Sequence, residues 1–105
     1  IGSDARGRGS EDLGRILIKG FIFSLSQLQT PPAAVLFFNA GVHLVREGAN
    51  TVEDLRTLVA GGCRILVCGT CVDFYGCKDV IAVGEITNMY GIVEAMNAGG
   101  RVITI

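Results

Sequence analysis

The chain has 105 residues and a formal net charge of -1; half of it (50%) is hydrophobic and only 18% is charged. That length makes one domain, burying roughly two thirds of its unfolded surface without staples, and the composition excludes a disordered tail and predicts some apolar surface for a partner to cover. Lys and Arg are thinly spread with no basic run, and Trp is absent, which excludes a nucleic-acid footprint; no apolar stretch reaches the length of a membrane span.

Ile1-Gly2-Ser3-Asp4 reads as the tail of a strand whose start lies upstream, since no initiator Met precedes it. Arg6-Gly7-Arg8-Gly9 is a loop, and Ser10 then suits a helix N-cap, with Glu11 and Asp12 placed to favour the dipole. The helix carries Leu13, Ile16, Leu17, Gly20, Phe21, Ser24, Leu25 and Leu28 on one stripe, which is the side expected to face the sheet. Ile18, Ile22 and Phe23 fall off that stripe, and Ile18 and Ile22 are therefore expected at a contact between subunits. Pro31-Pro32 ends the helix.

Ala33 to Asn39 is a continuous apolar run, as in a strand covered on both faces. Gly41 to Gly48 is ambiguous, with a short helix one option. Thr51 is expected to N-cap a second helix, with Asp54 completing a weak capping box and Val52, Leu55, Leu58 and Val59 buried; Gly61-Gly62 closes it. Arg64 to Val67 is the next buried strand. Val80 to Val83 reads as a further short strand or extended link, Thr87 as the cap of a third helix bearing Met89, Ile92, Val93 and Met96, and Arg101 to Ile105 as a last strand. Buried strands alternating with helices predict an α/β fold, a mostly parallel open sheet with helices on both faces.

In such sheets, sites form beyond the carboxyl ends of the strands. Ser3 to Gly9, Asn39 to Leu44 and Cys68 to Cys77 qualify. The four cysteines, Cys63, Cys68, Cys71 and Cys77, lie in one segment, a pattern of redox, sulfur or metal chemistry rather than of a disulfide scaffold. With a polar N-terminus unlike a signal peptide, this places the chain in the cytoplasm as an expectation. Cys68 ends a strand, and Cys71 falls in the first turn of a short helix, where backbone N–H groups would lower its pKa and activate it. Cys63 fits a buried apolar role, and Cys68 fits either a core or a site position. Cys77 is either a third thiol or a loop residue. Cys68-x-x-Cys71 has ligand-like spacing for zinc, but a second such pair is absent. His43, the one histidine, is either solvated or a proton donor near the cysteine loop. Gly7-Arg8-Gly9-Ser10 could hold an anion at the helix start, but Asp12 breaks G-x-G-x-x-G and no P-loop Lys follows.

Ser3-Asp4, Gly7 to Gly14, Lys19-Gly20-Phe21, Phe38 to Val42, Cys68-Gly69-Thr70-Cys71 and Val83 to Tyr90 together resemble the DsrE-like family, and within it the C-terminal domain of YedF-type selenium-metabolism proteins. The resemblance implies a three-layer α/β/α fold, a homo-oligomer and a role in sulfur or selenium handling without a bound cofactor. It also implies a persulfide carried on Cys71, with a sulfur-carrier protein or a small sulfur or selenium donor as partner and Cys68 as the supporting thiol. Asp73-Phe74-Tyr75-Gly76 departs from the small and basic residues usual in sulfur-relay members. The Cys-Pro-x-Pro motif of the accompanying carrier-like domain does not occur, so the chain is expected to be an excised domain or a stand-alone relative. A dithiol/disulfide redox domain using Cys68 and Cys71, and a non-catalytic assembly subunit, are the alternatives.

Overall fold

Ser10 starts the first helix as its sequence predicts: its hydroxyl accepts the Leu13 N–H at 3.2 Å, and α1 then runs Glu11–Gln27. In the computed structural model, which describes residues 1–105, α1 is followed by β1 (Ala34–Phe37), a 3-10 segment (Asn39–Val45), α2 (Val52–Ala60) and β2 (Arg64–Cys68). The chain continues through α3 (Gly69–Phe74), a second 3-10 segment (Lys78–Val80), β3 (Glu85–Thr87) and α4 (Met89–Asn97). The sheet is parallel in the order β1-β2-β3, with Phe37 opposite Val67 and Cys68 opposite Thr87.

Alternation along the strands divides the packing. Val35, Phe37, Ile65 and Val67 point into the main core with Ile18 and Ile22 of α1 and Leu55 and Leu58 of α2. A partly buried ion pair, Lys19 to Asp54, ties these two helices together. On the other face Leu66, buried beneath α4, shares a small cleft with Gly91, Ala95 and Ala98. A Cβ at Gly91 would collide with the Thr87 hydroxyl, so any larger residue there would force that side chain to move. Helices thus cover both faces of the sheet. No helix is long and apolar enough to cross a membrane.

Several expectations are corrected. Helix α1 is turned from its predicted orientation: Ile18 and Ile22 are 2% and 0% exposed inside their own subunit, while Leu13, Ile16 and Leu17 are solvent-facing. Ile18 and Ile22 pack in the core with α2 and the sheet, Phe21 and Leu25 of the expected stripe are partly buried against the same core, and the rest of its apolar residues stay outside. Ile18 and Ile22 therefore cannot form a subunit contact. Thr51 is the N-cap residue of α2, but its buried hydroxyl donates to the Leu44 carbonyl at 2.6 Å instead of capping the helix, and Asp54 is held by Lys19. Val59 is exposed.

The third strand lies at Glu85–Thr87, after the Val80–Val83 run, which the 3-10 turn and an isolated antiparallel bridge of Ile81 to Arg46 take out of the sheet. Asn88, not Thr87, caps α4, its side chain accepting the Gly91 N–H at 2.9 Å. Arg101 to Ile105 forms no strand. Ile1 takes the edge of β1 instead, donating to the Leu36 carbonyl at 2.7 Å and accepting from the Phe38 N–H at 3.1 Å. The tail then reaches only the far side of that segment, where the Ile105 carbonyl accepts the Gly2 N–H at 3.0 Å. Over the outer face of β1 it leaves an apolar cleft of about 380 Å³, lined by Leu36, Phe38, Met96 and Val102 among others.

Candidate functional site

Two strand ends meet at the carboxyl edge of the sheet. After β1 the chain passes from extended Phe38 to Asn39, the one non-glycine residue with positive φ, at 50°. Asparagine tolerates this left-handed conformation better than most residues. The turn aims the Asn39 N–H across to the end of β2, where it donates to the Cys71 Sγ at 3.1 Å. The Asn39 side-chain oxygen accepts from the Tyr75 hydroxyl, also at 3.1 Å, so α3 and the β1 loop are joined twice.

Behind this pair lies a second layer. His43 packs edge-on against the Tyr75 ring with centroids 4.4 Å apart, and Phe74 flanks the same ring at 5.1 Å. Arg46 contacts His43 Nδ1 at 3.1 Å. Arginine can only donate, so Nδ1 accepts and the ring proton sits on Nε2. His43 therefore supports Tyr75 rather than standing free in solvent. Its contact with Tyr75 is aromatic, which makes it a prop and not a proton path to Cys71.

Cys68 is the N-cap residue of α3, but its sulfur caps no backbone group. It is 1% exposed, and its thiol lies near enough to that of Cys71, three residues on, to raise the Cys71 pKa. The two predicted site cysteines are thus brought together. Cys71 is half-buried and the most accessible of the four thiols; Cys63, Cys68 and Cys77 are all buried. Its pKa runs against expectation. Burial pushes the Cys71 thiol above its ordinary value and the Cys68 side chain pushes it the same way, while the Asn39 N–H pulls it down. The stabilising donor comes from a neighbouring strand end and not from the start of α3, and it does not outweigh desolvation.

The remaining candidates lie elsewhere. Cys63 is buried at the start of β2, its S–H against the Arg64 carbonyl at 3.5 Å, and burial raises its pKa. Cys77 turns into the main core, with its sulfur 3.7 Å from the Val72 carbonyl, so it is not a third thiol of the site. No three His, Cys, Asp or Glu side chains gather as a metal would need. The loop before α1 is held by its own contacts: Arg15 pairs with Asp4 at 3.2 Å, the Arg6 N–H donates to the Gly14 carbonyl, and the Arg6 guanidinium lies over Phe21. The apolar cleft over β1 holds none of the cysteines.

Asn39, Tyr75 and Arg46 are the site residues that sequence reasoning left without roles. The Asn-Ala-Gly run after a buried strand was a signal for a sharp turn at a strand end, but nothing local shows that its N–H meets a thiol 32 positions away.

The DsrE/DsrF-like family model matches residues 19–105, which takes in every element from within α1 to the end of the chain, both site cysteines included. No curated protein and no solved structure gives a significant match. The parallel α/β sheet agrees with that family's fold, and the family is associated with sulfur relay and transfer. On a match of this extent, the chain belongs to the DsrE/DsrF-like family.

Proposed function

We propose that the chain handles sulfur, or its heavier congener selenium, as a persulfide or selenosulfide carried on Cys71, in the manner of the DsrE-like sulfurtransferase subunits it resembles. The observation that carries this reading is the placement of one half-buried thiol at the carboxyl edge of the sheet, with an N–H donor on its sulfur and a buried second thiol beside it. In the loading step the Cys71 thiolate attacks the outer sulfur of a donor R–S–SH. The bond from Cys71 Sγ to that sulfur forms, the donor's S–S bond breaks, and the electron pair leaves on RS⁻, which takes up a proton. The donor is a sulfur-carrier protein or a small persulfide; a selenium donor follows the same balance. Cys68, out of solvent, supports the loaded sulfur or resolves it.

Mass spectrometry after treatment with inorganic polysulfide tests this. Added mass equal to one sulfur atom, on Cys71 and absent from Cys71→Ser, is the expected result. Sulfur spread over all four cysteines, or none, would refute it.

The nearness of the Cys68 and Cys71 thiols favours one other reading, a dithiol/disulfide redox pair. There, exchange with a low-molecular-weight disulfide RSSR yields the Cys68–Cys71 disulfide and two RSH. Cys68→Ser separates the two: the persulfide on Cys71 persists in a relay, whereas the redox function disappears with either thiol.

The chain also works as a homo-oligomer in this reading. Support comes from the apolar faces left outside the core, Leu13, Ile16 and Leu17 on α1 and Tyr90, Val93 and Met96 on α4.

A further inference from the structure

We propose that Asn39 is a positioning residue for sulfur discharge: its N–H, latched by the Tyr75 hydroxyl, is aimed at the atom that becomes the leaving group when Cys71 hands its sulfur on. This rests on the persulfide reading and deepens it. Discharge is attack by an acceptor thiolate on the outer sulfur of Cys71–Sγ–S–H. The acceptor–sulfur bond forms, the bond from Sγ to the outer sulfur breaks, and the electron pair collects on Sγ. A donor fixed on Sγ stabilises the charge as it develops, the role that preorganised N–H groups play toward a developing oxyanion.

Three features point to Asn39 as that donor. Its N–H is a backbone hydrogen-bond donor placed on Sγ, at 3.1 Å. Its backbone is at φ 50°, a left-handed turn that asparagine tolerates and that points the N–H at Cys71. The carboxamide oxygen accepts the Tyr75 hydroxyl, and the Tyr75 ring is contacted by those of His43 and Phe74. Loading and discharge respond differently to such a donor. In loading, Sγ is the nucleophile, and losing the N–H lowers the thiolate fraction but raises the nucleophilicity of what remains. With a Brønsted coefficient of roughly 0.4–0.5, loading at neutral pH falls by only about the square root of the lost thiolate fraction. Above the thiol's pKa, loading becomes faster in the variant. In discharge, Sγ is the leaving group, and a poorer leaving group is slower at every pH. The ionisable and charged groups around the sulfur are Cys68 from the end of β2, Tyr75 after α3, and His43 with Arg46 from the 3-10 segment behind the Tyr75 ring.

The experiment uses Tyr75→Phe, which keeps the ring and removes the hydroxyl, and Asn39→Gly, which keeps the N–H and tolerates the backbone conformation but removes the carboxamide. Each protein is loaded with inorganic polysulfide and discharged to excess cyanide or a small thiol, with both rates followed against pH. Discharge slows roughly two- to tenfold in each variant, the range one hydrogen bond supports. The double variant is no slower than either single one, because both changes break the same bond. Loading slows less at neutral pH and crosses above wild type at high pH. Equal slowing of both steps at all pH values, additive effects, or unchanged discharge would overturn the proposal. Its failure is distinguishable from that of the persulfide reading: if wild type takes up no sulfur, the pH profile of Cys71 alkylation still reports the latch. That profile shifts to higher pH in both variants if the latch holds the N–H on Sγ, and an unshifted profile rejects it.

Discussion

At the scale of single residues, access and ionisation act on Cys71 in opposite directions. It is the least buried thiol, yet its desolvation and the Cys68 side chain raise its pKa. Iodoacetamide is therefore expected to modify Cys71 before Cys63, Cys68 and Cys77, through access, with a rate that keeps climbing past the ordinary thiol value. Peptide mapping over time and pH checks both parts; saturation of the rate near neutral pH would show an activated thiol instead. The raised values at Cys71 and Cys63 also have a consequence for stability. A thiol whose folded pKa exceeds its unfolded one keeps its proton in the native state after the unfolded chain has lost it. Its stabilising contribution is whole below the unfolded value and declines as pH rises from there to the folded value. Denaturant midpoints should fall as pH climbs beyond about 9, near the ordinary thiol value, and Cys63→Ala should flatten part of that fall.

At the scale of elements, α1 shows how a helix can satisfy its apolar pattern in more than one way. The stripe through Leu13, Ile16 and Leu17 holds more apolar residues than the pair Ile18 and Ile22, and a count of side chains favours it. Tertiary packing decides otherwise: with Ile18 and Ile22 in the core, Lys19 reaches Asp54 on α2. Ile22→Ala should cost about 2–5 kcal/mol, as expected for an isoleucine with no exposed surface. Ile16→Ala, at 68% exposure, should stay within about 0.5 kcal/mol. Urea midpoints of the two variants measure the difference directly. At β3, Gly84 has φ 99°, and a Cβ there would sit 2.7 Å from Ile65 Cγ2. Gly84→Ala combines backbone strain with a clash against β2, and a loss of about 1–3 kcal/mol is expected from the strain alone.

At the scale of the whole molecule, the sheet brings the ends of β1 and β2 together and leaves apolar surface on both outer layers. Leu13, Ile16 and Leu17 on one side and Tyr90, Val93 and Met96 on the other are the residues for a self-association test now that Ile18 and Ile22 lie in the core. Light scattering at low micromolar concentration should give a mass above that of one chain, and Ile16→Glu should lower it if α1 forms the contact. A monomer throughout the concentration range would remove the oligomer from the proposed function.

By itself the sequence determined what depends on neighbours along the chain. The apolar runs beginning at Ala33 and Arg64, the Ser10 cap, the closing glycines and the placement of Cys68 and Cys71 beside a strand end all follow from local pattern and were legible as such. Their alternation with helices sufficed for a parallel α/β sheet. Which face of α1 goes inward, whether Arg101–Ile105 joins the sheet, and where the third strand falls depend on competition for space and for strand edges. Ile1 occupies the edge of β1, and Gly84 lies close against Ile65 and Val67 just before the third strand begins. The same holds at the site. Two cysteines three apart can be read from the sequence, but the N–H that holds one of them comes from Asn39, placed there by parallel pairing of β1 with β2. Only the tertiary structure could decide that the thiol is half-buried at the carboxyl edge of the sheet, where desolvation outweighs the donor and raises the pKa that a helix start was expected to lower.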